Sequence, residues 1–162
     1  MSWNLAAAAV VKCIFSHKSK KSDLAVVRQQ FDAMINYFWM KDNSAESTAD
    51  WIELGALALA AGRAAGVFEK ADFSDEVAAV LVRKQTDYGH DNIARFGLDG
   101  LIVRMHDKIA RLENLTSRGT TPENESIRDN YLDVLGYATI GVMWSEGTFL
   151  MPLDASTVAE SK

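Results

Sequence analysis

The sequence predicts an all-α chain, a helical bundle of five or six helices, on three observations. Ala, Leu and Met are plentiful and patterned as in helices nearly throughout. Only two prolines occur, Pro122 and Pro152, both outside the periodic segments. No β-branched run alternates with polar residues around a hairpin turn. The helices are expected at about 3–15, 23–41, 48–65, 74–87, 98–115 and 122–146.

With 162 residues the chain suits a single domain with a real core. Its 48% hydrophobic and 24% charged content is ordinary for a globular protein. A net charge of −5 gives no general electrostatic reason to bind nucleic acid or an anionic membrane, so any anion site must be local. One cysteine, Cys13, excludes an internal disulfide and fits a reducing compartment. It reads as a small buried hydrophobe rather than a nucleophile. The opening "MSWNLAAAAVVKCIF" has no basic residue before its apolar run and is interrupted by Lys12, so it is not read as a signal peptide. No stretch of about 18 uncharged apolar residues could span a bilayer. The expectation is a cytoplasmic protein, in the host cytoplasm if viral, with no membrane and no nucleic acid among its partners.

Taken in order, the first segment is compatible with a loose arm. Polar "SHKSKKS" and "KDNSAES" separate the first three helices, and the basic cluster His17 to Lys21 reads as a solvated connector rather than a phosphate patch. The third segment, "WIELGALALAAGRAAG", is rich in Ala and Gly and should permit close helix packing; its Glu53 is free to face solvent or a site. Ser74 is the expected N-cap of the fourth helix, with Asp75 and Glu76 in its first turn. In the fifth, Leu101, Met105, Ile109 and Leu112 form a narrow apolar stripe. For the last helix, Thr121 is the expected cap, followed by Pro122 at the first helical position and Glu123. The tail "DASTVAESK" is polar and expected to fray. Four tryptophans and the apolar circumference of 131–144 offer material for a buried interface.

That last helix poses a physical problem. Glu125, Asp129 and Asp133 recur every four residues and so share one face, continued by Gly136, Ile140 and Met143. The acidic column runs into a segment that is apolar all round, and such a segment is normally buried. A buried carboxylate is very costly unless it is paired, hydrogen-bonded or metal-bound. The preceding helix carries Arg104, Asp107, Lys108 and Arg111 on one polar arc. The short connector "TSRGTTPE" favours antiparallel packing, which would bring Asp107 opposite Asp129 or Asp133.

Two explanations stay open on spacing alone. In one, Arg104, Lys108 and Arg111 neutralise the acids as a structural ion-pair network. In the other, the carboxylates hold Mg²⁺, a hard cation that prefers oxygen ligands, while the basic side chains hold phosphate oxygens. The loop "RKQTDYGHDNIARFG" weighs toward a ligand. A helix stop near Asp87 needs only Gly89, yet Tyr88, His90, Asp91 and Asn92 crowd around it, with Lys84 one turn earlier.

Together, "KQTDYGHDN", "GLIVRMHDKIARLENL" and "ESIRDNYLDVLGYA" resemble the phage-associated nucleotide-modification domain, a relative of the MazG-like all-α nucleoside triphosphate pyrophosphohydrolases. The resemblance covers about residues 76–146 and leaves 1–70 unrecognised within one domain spanning 1–162. It implies a helical bundle with an antiparallel helix pair at the site, assembled as a homo-oligomer, a dimer or tetramer. It also implies Mg²⁺-dependent cleavage of a nucleoside triphosphate, here a deoxynucleotide, to monophosphate and pyrophosphate. Carried over residue by residue, Asp107, Glu125, Asp129 and Asp133 would be metal ligands, with Asp107, Asp129 and Asp133 catalytic. Arg104, Lys108, Arg111 and Lys84 would contact phosphates, and Tyr88, His90, Asp91 and Asn92 would meet the nucleoside. The acidic motifs of that family are only partly matched, since "DEVAAV" offers Asp75 and Glu76 without a third acid. The alternative is therefore a helical nucleotide-binding or interaction protein without catalysis, sequestering or regulatory.

Overall fold

The computed structural model describes residues 1–18, 21–40, 47–119 and 126–154, and these form seven helices and no strand. They are α1 Trp3–Ser16, α2 Leu24–Met40, α3 Ser47–Ala64, α4 Ser74–Tyr88, α5 Asp91–Ala94, α6 Gly97–Arg118 and α7 Ile127–Glu146. The all-α expectation holds, and the first five expected segments match α1 to α4 and α6 to within a few residues. The addition is α5. A single turn of helix carries no periodicity to read.

Helix α7 is the axis around which the others pack. Val134, Ala138, Thr139, Val142 and Met143 are at most 1% exposed, and α1, α3, α4 and α6 all contact it. Small residues set the approach on one side. A Cβ on Gly55 would lie 2.9 Å from Ile14 Cδ1 and 3.2 Å from the Cβ of Ala138, and one on Gly141 would collide with the Trp51 ring. The Thr48 and Ser145 hydroxyls meet at 2.5 Å. Residues rising along α3 thus meet residues falling along α7, so the two run antiparallel. The same test applies to α6, where Gly97 packs on Trp144 and Lys108 reaches Asp133. The apolar circumference of 131–144, which could have served an interface, is covered within the chain itself.

The first segment is no loose arm. Trp3, Ala7, Val11 and Ile14 follow a helical repeat and are at most 1% exposed, and α1 packs on α3, α4 and α7. Its start is tied to the other end of the chain, since the Trp3 N–H donates to the Pro152 carbonyl at 2.9 Å. Asn4 Oδ1 accepts the N–H of Asp154 at 3.0 Å. Cys13 falls on the opposite face and is exposed, contrary to expectation. Glu53 settles its alternatives by pairing with His17, whose Nε2 lies 2.6 Å from Glu53 Oε2.

Two helix starts differ from expectation. Ser74 is the first residue of α4 rather than its cap. Asp72 supplies the acceptor, its Oδ1 taking the Ser74 N–H at 3.0 Å and the Ser74 hydroxyl at 2.7 Å. Those bonds hold the Asp72 carboxyl below the usual carboxylate range. At α7, Ser126 is the N-cap: its Oγ accepts the Asp129 N–H at 3.0 Å, and Asp129 Oδ2 accepts the Ser126 N–H at 3.4 Å. This capping box satisfies two otherwise unpaired donors at once. Thr121, Pro122, Glu123 and Glu125 lie outside the described residues, as does the tail beyond Asp154.

Helices α2 and α6 are clamped by a forked ion pair. Arg28 donates from Nε to Glu113 Oε2 at 3.1 Å and from Nη2 to Glu113 Oε1 at 2.6 Å. The guanidinium bonds push the Glu113 carboxyl below its ordinary value of 4.5. A carboxylate with a depressed folded pKa contributes stability that is fully present above its ordinary value. That contribution is lost as the pH falls through the lower folded value. Because Glu113 remains 40% exposed, solvent screening limits the pair to surface strength. Glu113→Gln is expected to lower stability by about 0.5–1 kcal/mol at neutral pH. In urea unfolding at a series of pH values, its gap from the parent should close below about pH 4.

Candidate functional site: a cationic cleft

Between α4, α6 and α7 lies a cleft of about 350 Å³, within the range of small-molecule sites. Each helix gives it one face. Phe73, Val77, Leu81, Lys84 and Tyr88 stand on successive turns of α4 and the residue before it. Arg104 and Lys108, four apart, come from α6. From α7 come Arg128, Leu132, Gly136 and Ile140, a second column at intervals of four, with Asp133 and Tyr137 beside it. Asn92 and Ile93 of α5 line it as well.

Asp133 stands in this cleft with its side chain only 12% exposed. Its Oδ1 accepts from Lys84 Nζ at 2.9 Å and its Oδ2 from Lys108 Nζ at 2.9 Å. The carboxylate near the core is thus answered by one ammonium on each oxygen, one from α4 and one from α6. Packing makes the reach possible. A Cβ on Gly136 would lie 3.0 Å from Leu81 Cδ2, so α4 approaches α7 closely there. Lys84 and Asp133 are each three residues away from that crossing, on adjoining turns.

The other charges are held differently. Arg104 Nη2 donates to Asn92 Oδ1 at 3.2 Å and to the Asn92 carbonyl at 3.4 Å, bracing α5 against α6. The Arg128 guanidinium lies 5.9 Å from the centre of the Phe68 ring. Glu76 is paired with Lys70 at 2.9 Å, and that bond holds its carboxyl below the usual range. Among the described residues, four cations therefore line the cleft against two carboxylates, in a chain whose net charge is −5.

Of the residues expected at a site, the structure brings together Lys84, Tyr88, Asn92, Arg104, Lys108 and Asp133. The remaining described ones lie elsewhere. Asp129 is exposed and occupied in the capping box. Asp107 is exposed on α6 and does not line the cleft, because its neighbour Lys108 is turned about 100° around the helix from it. Arg111 is half-buried beyond Lys108 and is likewise outside the lining. Asp91 is exposed. His90 is a clasp: its Nε2–H donates to the Met151 carbonyl at 2.7 Å while Nδ1 accepts from Gln85 Nε2 at 2.7 Å. Those two bonds fix the neutral tautomer and tie the loop after α4 to the C-terminal segment.

Asp107, Asp129 and Asp133 thus do not converge, and Glu125 lies outside the described residues. Among the described residues no three His, Cys, Asp or Glu side chains come close enough together to hold a metal ion. The donor set of this cleft suits an anion.

Sequence reasoning missed Arg128, Phe73 and Tyr137. The signal for Arg128 was present in the spacing Arg128, Leu132, Gly136, Ile140, one residue out of step with the acids that drew attention. Compared with protein-family models, with curated proteins and with solved structures, the chain matches none of them.

Asp133→Asn keeps the shape but leaves two ammonium groups near each other without the Asp133 carboxylate between them. It is expected to cost about 1–2 kcal/mol in denaturant unfolding, whereas Asp107→Asn, on the exposed face, should stay within about 0.5 kcal/mol.

Proposed function

We propose that the cleft binds a nucleotide, its phosphates on the basic side chains and its nucleoside against the apolar and aromatic walls. One observation carries this reading. Lys84, Arg104, Lys108 and Arg128, from three different helices, face one cleft whose remaining walls include Phe73, Tyr88, Leu132, Tyr137 and Ile140. Ammonium and guanidinium groups grip phosphate oxygens through charge-assisted hydrogen bonds. Aromatic and aliphatic faces take a base by stacking and burial. Asn92 offers the amide chemistry that a base or sugar edge can use. In this reading Asp133 keeps the two lysines in place between ligands, so no side chain must be recruited from far away when phosphate arrives.

A second reading, drawn from the resemblance, is that the bound triphosphate is cleaved to monophosphate and pyrophosphate with Mg²⁺. The observation that favours it is the antiparallel pair α6 and α7, joined by Lys108 and Asp133, the arrangement that the resemblance implies. Among the described residues no three carboxylates come together, so in this reading the ligand phosphates supply much of the metal's coordination.

One experiment addresses both. The four deoxynucleoside triphosphates are titrated calorimetrically, and each mixture is then assayed for monophosphate and pyrophosphate with Mg²⁺ present. The binding reading expects saturable affinity for at least one nucleotide, weakened about 10- to 100-fold by Lys108→Met. The absence of any affinity contradicts both readings. Pyrophosphate release would promote the second.

A further inference from the structure

We infer that the cleft takes its phosphorylated ligand as the free anion, stripped of divalent cation, and that Mg²⁺ competes with the protein for it. This rests on the nucleotide reading and goes beyond it by fixing the ionic form of the ligand. The argument is the charge arrangement at the site. A nucleoside triphosphate in solution is a polyanion that Mg²⁺ partly neutralises. A protein that binds the magnesium complex ordinarily supplies one or two carboxylates to the metal's free positions. Here both oxygens of Asp133 are engaged, one by Lys84 and one by Lys108, each at 2.9 Å. The other described carboxylate of the lining, Glu76, is turned to Lys70.

Arg104 and Arg128 add two more positive charges. The first is held by the neutral oxygens of Asn92, and the second lies over the Phe68 ring. A magnesium ion carried in on the phosphates would bring two further positive charges within a few ångströms of these groups. It would also occupy the same phosphate oxygens that the lysines would use. Like charges at such separations repel strongly in a partly desolvated cleft. The uncomplexed polyphosphate meets the opposite situation. Its oxygens accept from further N–H donors of Lys84 and Lys108, each ammonium having three, while Asp133 keeps its own two bonds, and the four cations then face a ligand of opposite sign.

The test is a pair of titrations with the tightest-binding of the four deoxynucleoside triphosphates. One is run in EDTA. The other is run with MgCl₂ in excess over nucleotide, and NaCl is used to equalise the ionic strength. Binding is expected to be at least about tenfold tighter in EDTA, and Lys84→Met should weaken the EDTA titration and narrow the gap between the two conditions. Equal affinity in both, or tighter binding with Mg²⁺, overturns the inference while leaving the nucleotide reading intact. Affinity in neither condition overturns that reading and the inference with it.

Discussion

The structure depends on how a carboxylate is tolerated beside the core. Asp133 stands on the central helix, one turn before residues that are wholly buried, and burial of an unanswered charge there would outweigh much of what packing supplies. Lys84 and Lys108 answer it from two sides. Both are long side chains, able to bury an apolar stem while the ammonium group keeps its polar partners. Lys84 is half exposed, Lys108 less so. The arrangement ties α4 and α6 to α7 by charge at the place where Gly136 lets the helices come close, and it leaves a cleft lined by excess positive charge. A structural necessity and a candidate binding surface are thus made by the same atoms.

The rest of the fold follows from the same central helix. Glycines at 55 and 141 and alanine at 138 bring α3 against one side, and the stripe Leu101, Met105, Ile109, Leu112 brings α6 against another, each of the four at most 1% exposed. The ends are finished by local hydrogen bonds, with Ser126 and Asp129 closing the start of α7. Arg28 and Glu113 then hold α2 to the outer part of α6. Away from the cleft, Arg28 pairs with Glu113 and His17 with Glu53, while among the described residues four basic groups face the shared space of the cleft.

Much of this was legible in the residues. Helix type and extent followed from apolar spacing and from where Pro and Gly fall, and the stripe on α6 was read correctly because four large side chains at near-heptad intervals admit few other arrangements. The anomaly of Asp133 was legible too, and neutralisation by Lys108 was one of the two explanations that the spacing left open. The partnership with Lys84 was not, since it joins residues forty-nine apart in sequence and depends on α4 crossing α7 at Gly136. The capping role of Asp129 was not legible for a different reason. Spacing by four places it on the face of Asp133, but a Ser three residues before it claims its carboxylate for the helix end. The clasp of His90 likewise depends on the C-terminal segment coming back to meet it. Local pattern identifies faces; the competition between partners for each polar atom is decided by the tertiary crossing.

The central claim is that Asp133 and its lysines are coupled rather than merely adjacent. The most direct measurement is a double-mutant cycle of Asp133→Asn and Lys108→Met, read by denaturant unfolding at neutral pH. The account predicts a coupling of about 1 kcal/mol or more, the double variant being more stable than the two single losses added together. Strict additivity, with no coupling beyond error, would contradict it.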